Sequence, residues 1–212
     1  MSVTYSQRNI DTFKTRLAGG GARPNLFEVA LAFPGGVTAV NATGGTGLGP
    51  AEESRFMVKA AELPASNIGD IPVNFRGRIL HVAGDRTFDP WTVTVINNTD
   101  WSLRGTFENW SNYINERVYD TGVTNPRSYH STAEVLQLSR NTAKEGTANP
   151  TGGANIGVAA KYKFYGIWPS QVSSIAVDYG STDTIEEFQV TFQIERWAAQ
   201  YDDTDVFKTT SV

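Results

Sequence analysis

Apolar and polar residues alternate along much of this chain, most clearly between residues 185 and 197. There Phe188, Val190, Phe192 and Ile194 occupy every second position, and mainly polar residues stand between them. Successive side chains of a β-strand point to opposite faces of the sheet. The spacing therefore predicts a strand with one buried and one hydrated face.

Other segments carry related strand patterns. Residues 91–96 (WTVTVI) are rich in β-branched residues, which favour strands. Residues 71–83 predict either one long half-buried strand or a hairpin that is broken at Gly77. Further strands are predicted at residues 25–33, 55–63, 132–139, 161–168 and 171–179. Many short strands joined by Gly and Pro turns indicate a mainly β fold.

Two segments have helical spacing instead. Leu103, Phe107, Trp110 and Ile114 recur at intervals of four, three and four residues, so they share one face of a helix. This helix is expected to cover the sheet, and three residues before it are expected to cap it: Asn98, Thr99 and Asp100. A short N-terminal helix is predicted within residues 6–17, with its apolar side formed by Ile10, Phe13 and Leu17.

Length and composition indicate one domain that spans residues 1–212. Two glycine-rich insertions, at about residues 35–53 and 141–157, and a polar C-terminal tail at residues 198–212 interrupt or extend the strand pattern. The first insertion contains GGTGLG, but no Lys-Ser/Thr pair follows it and a predicted strand comes next. It is therefore interpreted as a surface loop, not a phosphate or dinucleotide site.

Charge and cysteine content narrow the function. The chain has 18 Lys and Arg against 22 Asp and Glu, a formal net charge of −4, and no Cys. Nucleic-acid-binding proteins usually cluster cations against phosphates, so the charge argues against such binding but not against a wall that DNA slides past.

Without an apolar run of about 20 residues or an apolar signal core, no membrane insertion is expected, and the protein is expected to be cytoplasmic when made.

Candidate catalytic groups are sparse. The chain has only two histidines, His81 and His130, which are too few for a histidine metal site. It has no GxSxG motif, and the neighbouring Glu186 and Glu187 would point to opposite faces of a strand. We therefore expect no catalytic residue, no metal, no cofactor and no enzymatic activity.

The stretch RILHVAGDRTFDPWTVTV, residues 78–95, concentrates charge between apolar segments. Arg78, Asp85, Arg86 and Asp89 are candidates for contacts between subunits or rings. Within one chain, the same side chains could satisfy turn amides and form an ion pair, which would fix strand register. On a sheet edge they could reach a neighbouring subunit, and the sequence leaves both roles open.

Several motifs resemble the tail tube proteins of contractile-tailed bacteriophages. They are ARPNLFEV at residues 22–29, KAAELP at 59–64, VAGDRTFDPWTVTV at 82–95, IWPSQVSSIAVDY at 167–179 and EEFQVTFQIERW at 186–197. The motifs occur in the family's order, and the resemblance covers most of the chain. The two glycine-rich insertions and the C-terminal tail depart from it and inherit nothing from the family.

The resemblance implies a β-sandwich or barrel-like tail-tube fold with one flanking helix and no catalysis. It further implies hexameric rings that stack into the inner tail tube of a virion, inside a contractile sheath. The implied partners are other copies of the chain, the tail sheath protein, the baseplate, the tape-measure protein, and double-stranded DNA that passes during genome ejection without specific binding. Assembly in the host cytoplasm follows from the same resemblance.

Two other functions stay open at this point. One is the tube of a related contractile injection or secretion system, which would share the ring but not the phage setting. The other is a monomeric carbohydrate-binding β-sandwich, suggested by the five Trp residues.

The strand at residues 185–197 is the candidate wall of the tube lumen. Its apolar face is expected to pack beneath the helix, which leaves its polar face for water inside the tube. The candidate lumen residues are Glu187, Gln189, Thr191, Gln193 and Glu195. Carboxylates and amides repel or hold phosphates weakly, which suits a DNA conduit. The alternative is a solvent-facing strand on the outer wall.

Overall fold

The computed structural model describes residues 9–17, 21–40, 49–139 and 157–200. Its strands are β1 (Phe27–Leu31), β2 (Val58–Ala61), β3 (Asn67–Phe75), β4 (Arg78–Thr87), β5 (Trp91–Ile96), β6 (Ser131–Ser139), β7 (Gly157–Val172), β8 (Glu187–Gln193) and β9 (Arg196–Gln200). Its helices are α1 (Ile10–Arg16), α2 (Pro50–Met57), α3 (Ser102–Ile114) and α4 (Pro126–Tyr129). The prediction of a mainly β fold with few helices is confirmed.

Seven of the strands form a strongly bent antiparallel sheet in the order β1-β6-β7-β8-β5-β2, with β9 also paired to β7. The long strand β7 connects two halves. Residues 157–167 pair with β6, and residues 168–172 pair with β8. We call the half formed by β1, β6, β9 and the first part of β7 sheet A. The half formed by β8, β5, β2 and the end of β7 is sheet B.

The bend in β7 lies at Gly166. Its φ of +63° is in the left-handed region, which favours glycine. A Cβ at this position would stand 2.6 Å from a carboxylate oxygen of Glu195. The backbone N–H of Glu195 donates to the carbonyl of Tyr165 (3.1 Å), where the chain crosses from β8 to β9. The bend therefore lets one strand serve both sheets.

The core lies between the two sheets and α3. Trp91 of β5 stacks on Phe164 of β7, with ring centroids 4.4 Å apart, and so joins sheet B to sheet A. On the same side of sheet B, Phe107 of α3 contacts Phe188 and Phe192 edge-on. The predicted apolar face of α3 is thus confirmed, with Leu103, Phe107 and Trp110 buried and Ile114 packed at the margin.

Several predicted boundaries differ from the observed ones. Residues 55–57 were expected to begin a strand, but they complete α2, which itself starts inside the first predicted insertion. Residues 173–179 are not a strand, because β7 ends at Val172. The strand expected at 185–197 divides at residues 194–195 into β8 and β9. Residues 198–200, assigned to the polar tail, lie in β9. The rest of the tail (201–212), residues 41–48 of the first insertion and residues 141–156 of the second lie outside the described residues.

The cap of α3 also differs from expectation. Its N-cap residue is Trp101, which has left-handed backbone angles and no capping hydrogen bond from its side chain. Instead, the carboxylate of Glu53 on α2 accepts hydrogen bonds from the amide of Asn98 and the hydroxyl of Ser102. A carboxylate placed here also complements the positive end of the helix dipole. Tertiary contact with α2, rather than a side-chain capping hydrogen bond, therefore holds the residues that begin α3.

Candidate assembly surfaces

The hairpin formed by β3 and β4 is exposed along almost its whole length. Its strands pair with each other and join neither sheet A nor sheet B. The chain turns at Arg76 and Gly77, whose φ values of +47° and +82° suit the tight turns that match strand twist. The hairpin reading of residues 71–83 is therefore correct. The expected half-burial is wrong, because both strands are almost entirely exposed.

One face of this hairpin is apolar. The register places five large side chains on it, between 43% and 66% exposed: Ile71, Val73, Phe75, Leu80 and Val82. An exposed apolar face of this size on a soluble protein marks an interaction surface. We call it the apolar hairpin face. The alternation that reveals it is present in the sequence, but its exposure is not.

The opposite face of the hairpin is more polar. Here the imidazole of His81 lies 2.6 Å from the carboxylate of Asp70, and both side chains are more than half exposed. Within the described residues no group of three or more His, Cys, Asp or Glu could hold a metal ion. His81 is therefore placed in a surface contact with Asp70 at hydrogen-bond distance.

The four charged candidates for subunit contact are spread along the hairpin rather than gathered in a turn. Arg78 stands at its tip, whereas Asp85 and Arg86 lie within β4 close to its base. In the part of the chain that the structure describes, none of these three has a salt bridge. Asp89 follows the hairpin and accepts a hydrogen bond from the amide of Asn67 (2.5 Å), which ties the two ends of the hairpin together.

The outer face of sheet B is polar, as the alternation of β8 predicts. Phe188, Val190 and Phe192 are buried, and the residues between them point away from the core. The hydroxyls of Thr191 and Thr92 lie 3.1 Å apart across β8 and β5. We call the outward residues of β8, namely Glu187, Gln189, Thr191 and Gln193, the polar sheet face.

Charge on the polar sheet face is partly neutralised. The ammonium group of Lys59 on β2 lies 2.5 Å from the carboxylate of Glu187. The fifth lumen candidate, Glu195, lies beyond the end of β8 beside the bend in β7. Of the carboxylates and amides predicted here, the outward side of β8 presents mainly hydroxyl and amide groups, because Glu187 is paired with Lys59 and Glu195 lies beyond the strand. The pairing with Lys59 could not be read from the local sequence, because the two residues are far apart in the chain.

Comparison with known proteins identifies the family. The model of the phage tail tube protein family matches residues 22–200, and the chain belongs to this family. It is 31% identical over 180 residues to tail tube protein gp19 of Enterobacteria phage T4, covering 85% of this chain and 93% of that protein. It is 24% identical over 181 residues to the tail tube protein of Serratia phage KSP90, covering 84% and 90% of the two chains.

Solved structures show the same fold at low sequence identity. A chain of the sheath-tube complex of the PVC extracellular contractile injection system superposes with a TM-score of 0.54 at 11% identity, covering 88% of this chain and 97% of that chain. A chain of the anti-feeding prophage baseplate gives 0.55 at 9% identity, covering 87% and 98%. The resemblance noted in the sequence is confirmed. Membership places the chain among structural tail proteins, and no described helix is long and apolar enough to cross a membrane.

Proposed function

We propose that this protein builds the wall of a phage tail tube. Copies close into hexameric rings, the rings stack inside a contractile sheath, and double-stranded DNA leaves the virion through the lumen. The chain assembles in the host cytoplasm on a baseplate around a tape-measure protein. Family membership supports this role. The exposed apolar hairpin face and the polar sheet face also support it, because they suit contact with other copies and with water.

The observation that carries the proposal is the apolar hairpin face. Fully burying one large aliphatic or aromatic side chain stabilises an assembly by roughly 1.5–3 kcal/mol. Five such side chains are about half exposed on one hairpin, so covering their exposed parts with another copy would contribute about two to three times that amount. The hairpin buries little apolar surface against its own chain, and a contact between chains would bury that surface.

The charged residues of the hairpin are proposed to orient this contact. Arg78, Asp85 and Arg86 are exposed, so each can reach a neighbouring subunit or ring. Asp89 supports them by holding the base of the hairpin through Asn67. Charged groups at the margin of an apolar contact favour one register over others.

The polar sheet face, together with Glu195, is proposed to line the lumen. It lies on the side of sheet B opposite α3, and it presents hydroxyls and amides. Neutral polar groups offer passing phosphates little net attraction, because binding of DNA depends largely on cations. An outer wall that faces the sheath is the alternative position for this face.

Assembly of the purified protein tests the proposal. Sedimentation and negative-stain electron microscopy are expected to show rings or tubes, at least when baseplates are supplied as seeds. Asp85→Ala and Arg86→Ala should weaken this assembly while circular dichroism of the monomer stays unchanged. Wild-type protein that stays monomeric with seeds present would contradict the proposal, and a loss of folding in the variants would assign these residues an intrachain role.

A tube of a contractile injection system is a second candidate, favoured by the fold shared with chains of two such assemblies. Immunogold labelling of particles released from the producing cell separates the two settings. Label on the tails of DNA-filled particles supports the phage tube. Label confined to headless particles supports the injection system.

A further inference from the structure

Charge is strongly segregated in the last third of the described chain. Between Lys163 and Arg196 there are 32 residues without Lys, Arg or His, and they include five carboxylates. Cations stand on both sides of this stretch in sequence. Three of the five carboxylates, those of Asp178, Asp183 and Glu186, lie between the end of β7 and the start of β8.

The acidic part is displayed on the loop of residues 173–186, which we call the acidic loop. Both ends are fixed to the core. The guanidinium of Arg104 donates to the carbonyl of Ser173 (2.5 Å), and the amide of Asn97 donates to the carboxylate of Glu186 (3.0 Å). A rigid base of this kind lowers the entropy lost when the loop binds a partner.

The tip of the acidic loop combines charge with exposed apolar groups. Val177 is 80% exposed, and Tyr179 is fully exposed. Between them the carboxylate of Asp178 accepts a hydrogen bond from the backbone N–H of Gly180 (3.0 Å), which shapes the tip. An open hollow of about 300 Å³ lies against these residues and has room for a side chain from a neighbour. Exposed aromatic residues beside charge are typical of binding surfaces.

The cations are gathered on the outer face of sheet A. Lys161, Lys163 and Tyr165 alternate along β7, and Arg196 of β9 lies opposite Tyr165. The guanidinium of Arg196 lies 4.6 Å from the centre of the Tyr165 ring, and the ammonium of Lys163 lies 5.7 Å from it. We call these four residues the cationic face.

One carboxylate lies beside the cationic face but does not neutralise all of its charge. Glu134 of β6 lies 2.8 Å from the ammonium of Lys161 and 3.1 Å from that of Lys163. Three cations against one carboxylate leave about two positive charges on an otherwise acidic chain. Glu28, on the neighbouring strand β1, is paired with Arg55 at 2.9 Å.

In the described structure, Lys161 and Lys163 of the cationic face pair with Glu134 and not with the acidic loop. From Lys163 to the end of β7 the strand covers up to about 30 Å, at about 3.3 Å per residue. The two surfaces therefore lie on different sheets, towards different ends of one strand. A second copy can bring the acidic loop of one chain to the cationic face of another.

We propose that the acidic loop of one copy binds the cationic face of the neighbouring copy. Asp178 and Asp183 face the lysines, and Tyr179 packs beside Arg196 and Tyr165. The two surfaces are different, so the contact is head-to-tail, and repetition of such a contact closes a ring or builds a helical filament. The inference rests on the proposed self-assembly and specifies which surfaces meet.

A charge exchange tests the contact. The loop variant carries Asp178→Lys and Asp183→Lys. The face variant carries Lys161→Glu, Lys163→Glu, Arg196→Glu and Glu134→Lys, which inverts the face but preserves its internal ion pairs. Each variant alone is expected to lose at least tenfold in sedimented assembly. An equal mixture should recover it, because each mutant surface then meets a complementary mutant surface around the ring.

The controls separate this inference from the proposed function. The pair Asp11→Lys and Glu52→Lys makes the same change in net charge as the loop variant at exposed sites elsewhere, and it should assemble normally. Circular dichroism shows whether each variant folds. Wild-type assembly should also weaken as salt is raised to about 0.5 M, because salt screens exposed ion pairs. If wild type assembles and the variants assemble equally well, the contact is overturned. It is also overturned if the folded variants stay unassembled when mixed. Either result would leave the proposed tube intact.

Discussion

The carboxylate of Glu53 completes the start of α3. The helix begins at a Trp N-cap that offers no side-chain hydrogen bond, and Glu53 reaches it from α2 to bind Asn98 and Ser102. One residue thus joins two helices that lie far apart in the sequence. At this scale, position in the fold decides what a side chain does.

Glu53→Ala should lower the free energy of unfolding by about 1–2 kcal/mol, because the amide of Asn98 and the hydroxyl of Ser102 would lose a charged acceptor. Urea unfolding followed by circular dichroism measures the change. Glu52→Ala is the matched control, because Glu52 is exposed and forms only a 3.6 Å ion pair with Arg55. Equal effects from the two variants would contradict this role of Glu53.

Glu134 provides a prediction about pH. Partial burial raises its pKa, but the hydrogen bonds and charges of Lys161 and Lys163 outweigh burial and hold the pKa below the ordinary 4.5. A carboxyl group with a lowered pKa stabilises the fold above its ordinary pKa, and this contribution is lost as pH falls through the lowered value.

Glu134→Gln should therefore be less stable than wild type at pH 7, by at most about 1 kcal/mol for a partly exposed ion pair. The difference should shrink as the pH falls below 4.5. Thermal unfolding between pH 7 and pH 3 measures it. A difference that stays constant across this range would show that the charge is not responsible.

Among the larger elements, the hairpin of β3 and β4 stands apart. The other long strands bury one face, whereas this hairpin exposes both. Its strands pair in regular register from Asp70 to Phe75, with an irregularity between Ile68 and Asp70, and the pairing uses no residue of the other strands. It is therefore suited to carry an apolar face to a neighbouring copy.

Val73→Thr combined with Leu80→Gln should reduce assembly at least tenfold. The two substitutions replace two paired apolar side chains of the apolar hairpin face. The exposed parts of Val73 (45%) and Leu80 (62%) together amount to about one whole side chain, whose burial would contribute roughly 1.5–3 kcal/mol. Stability of the monomer should change little, since both side chains are exposed. Analytical ultracentrifugation with seeds provides the measurement. Ile79→Thr, at an exposed position on the opposite face, is the control, and equal loss there would exclude a face-specific contact.

At the scale of the whole molecule, sheet B has one apolar side and one polar side. The core, α3 and sheet A lie on the apolar side, and the polar sheet face lies on the other. In the proposed tube this second side meets DNA. Glu187 is paired with Lys59, so a substitution there would also break an ion pair. Gln189 and Gln193 are uncharged and are therefore the better positions for a test.

Gln189→Lys combined with Gln193→Lys should leave tubes intact but slow genome ejection, most clearly at low salt. Cations repeated in every copy would hold phosphates, and salt weakens this attraction. Asn112→Lys, at an exposed position on α3, is the control and should eject normally. Ejection followed by a DNA-binding dye measures the rate. Unchanged ejection at low salt, or a tube structure with these side chains against the sheath, would refute the lumen assignment.

The sequence by itself determined the elements whose pattern is local. The alternation in WTVTVI gives β5 its observed bounds, and the repeat from Leu103 to Ile114 gives α3 its buried face. The alternation of Phe188, Val190 and Phe192 likewise gives β8 its buried side. Such patterns arise because a strand or helix faces the core at a fixed period. The family motifs, which are also local, identified the tail tube protein.

Only the tertiary structure decided what covers each face. Alternation in residues 71–83 looked half-buried, yet the fold leaves the hairpin uncovered. Gly166 lets β7 continue through a bend where two strands were expected, and Glu53 of α2 binds side chains at the start of α3. Periodicity specifies that a face is apolar but not which surface will meet it. That choice depends on residues far apart in the chain, and for the hairpin we propose that it depends on another copy.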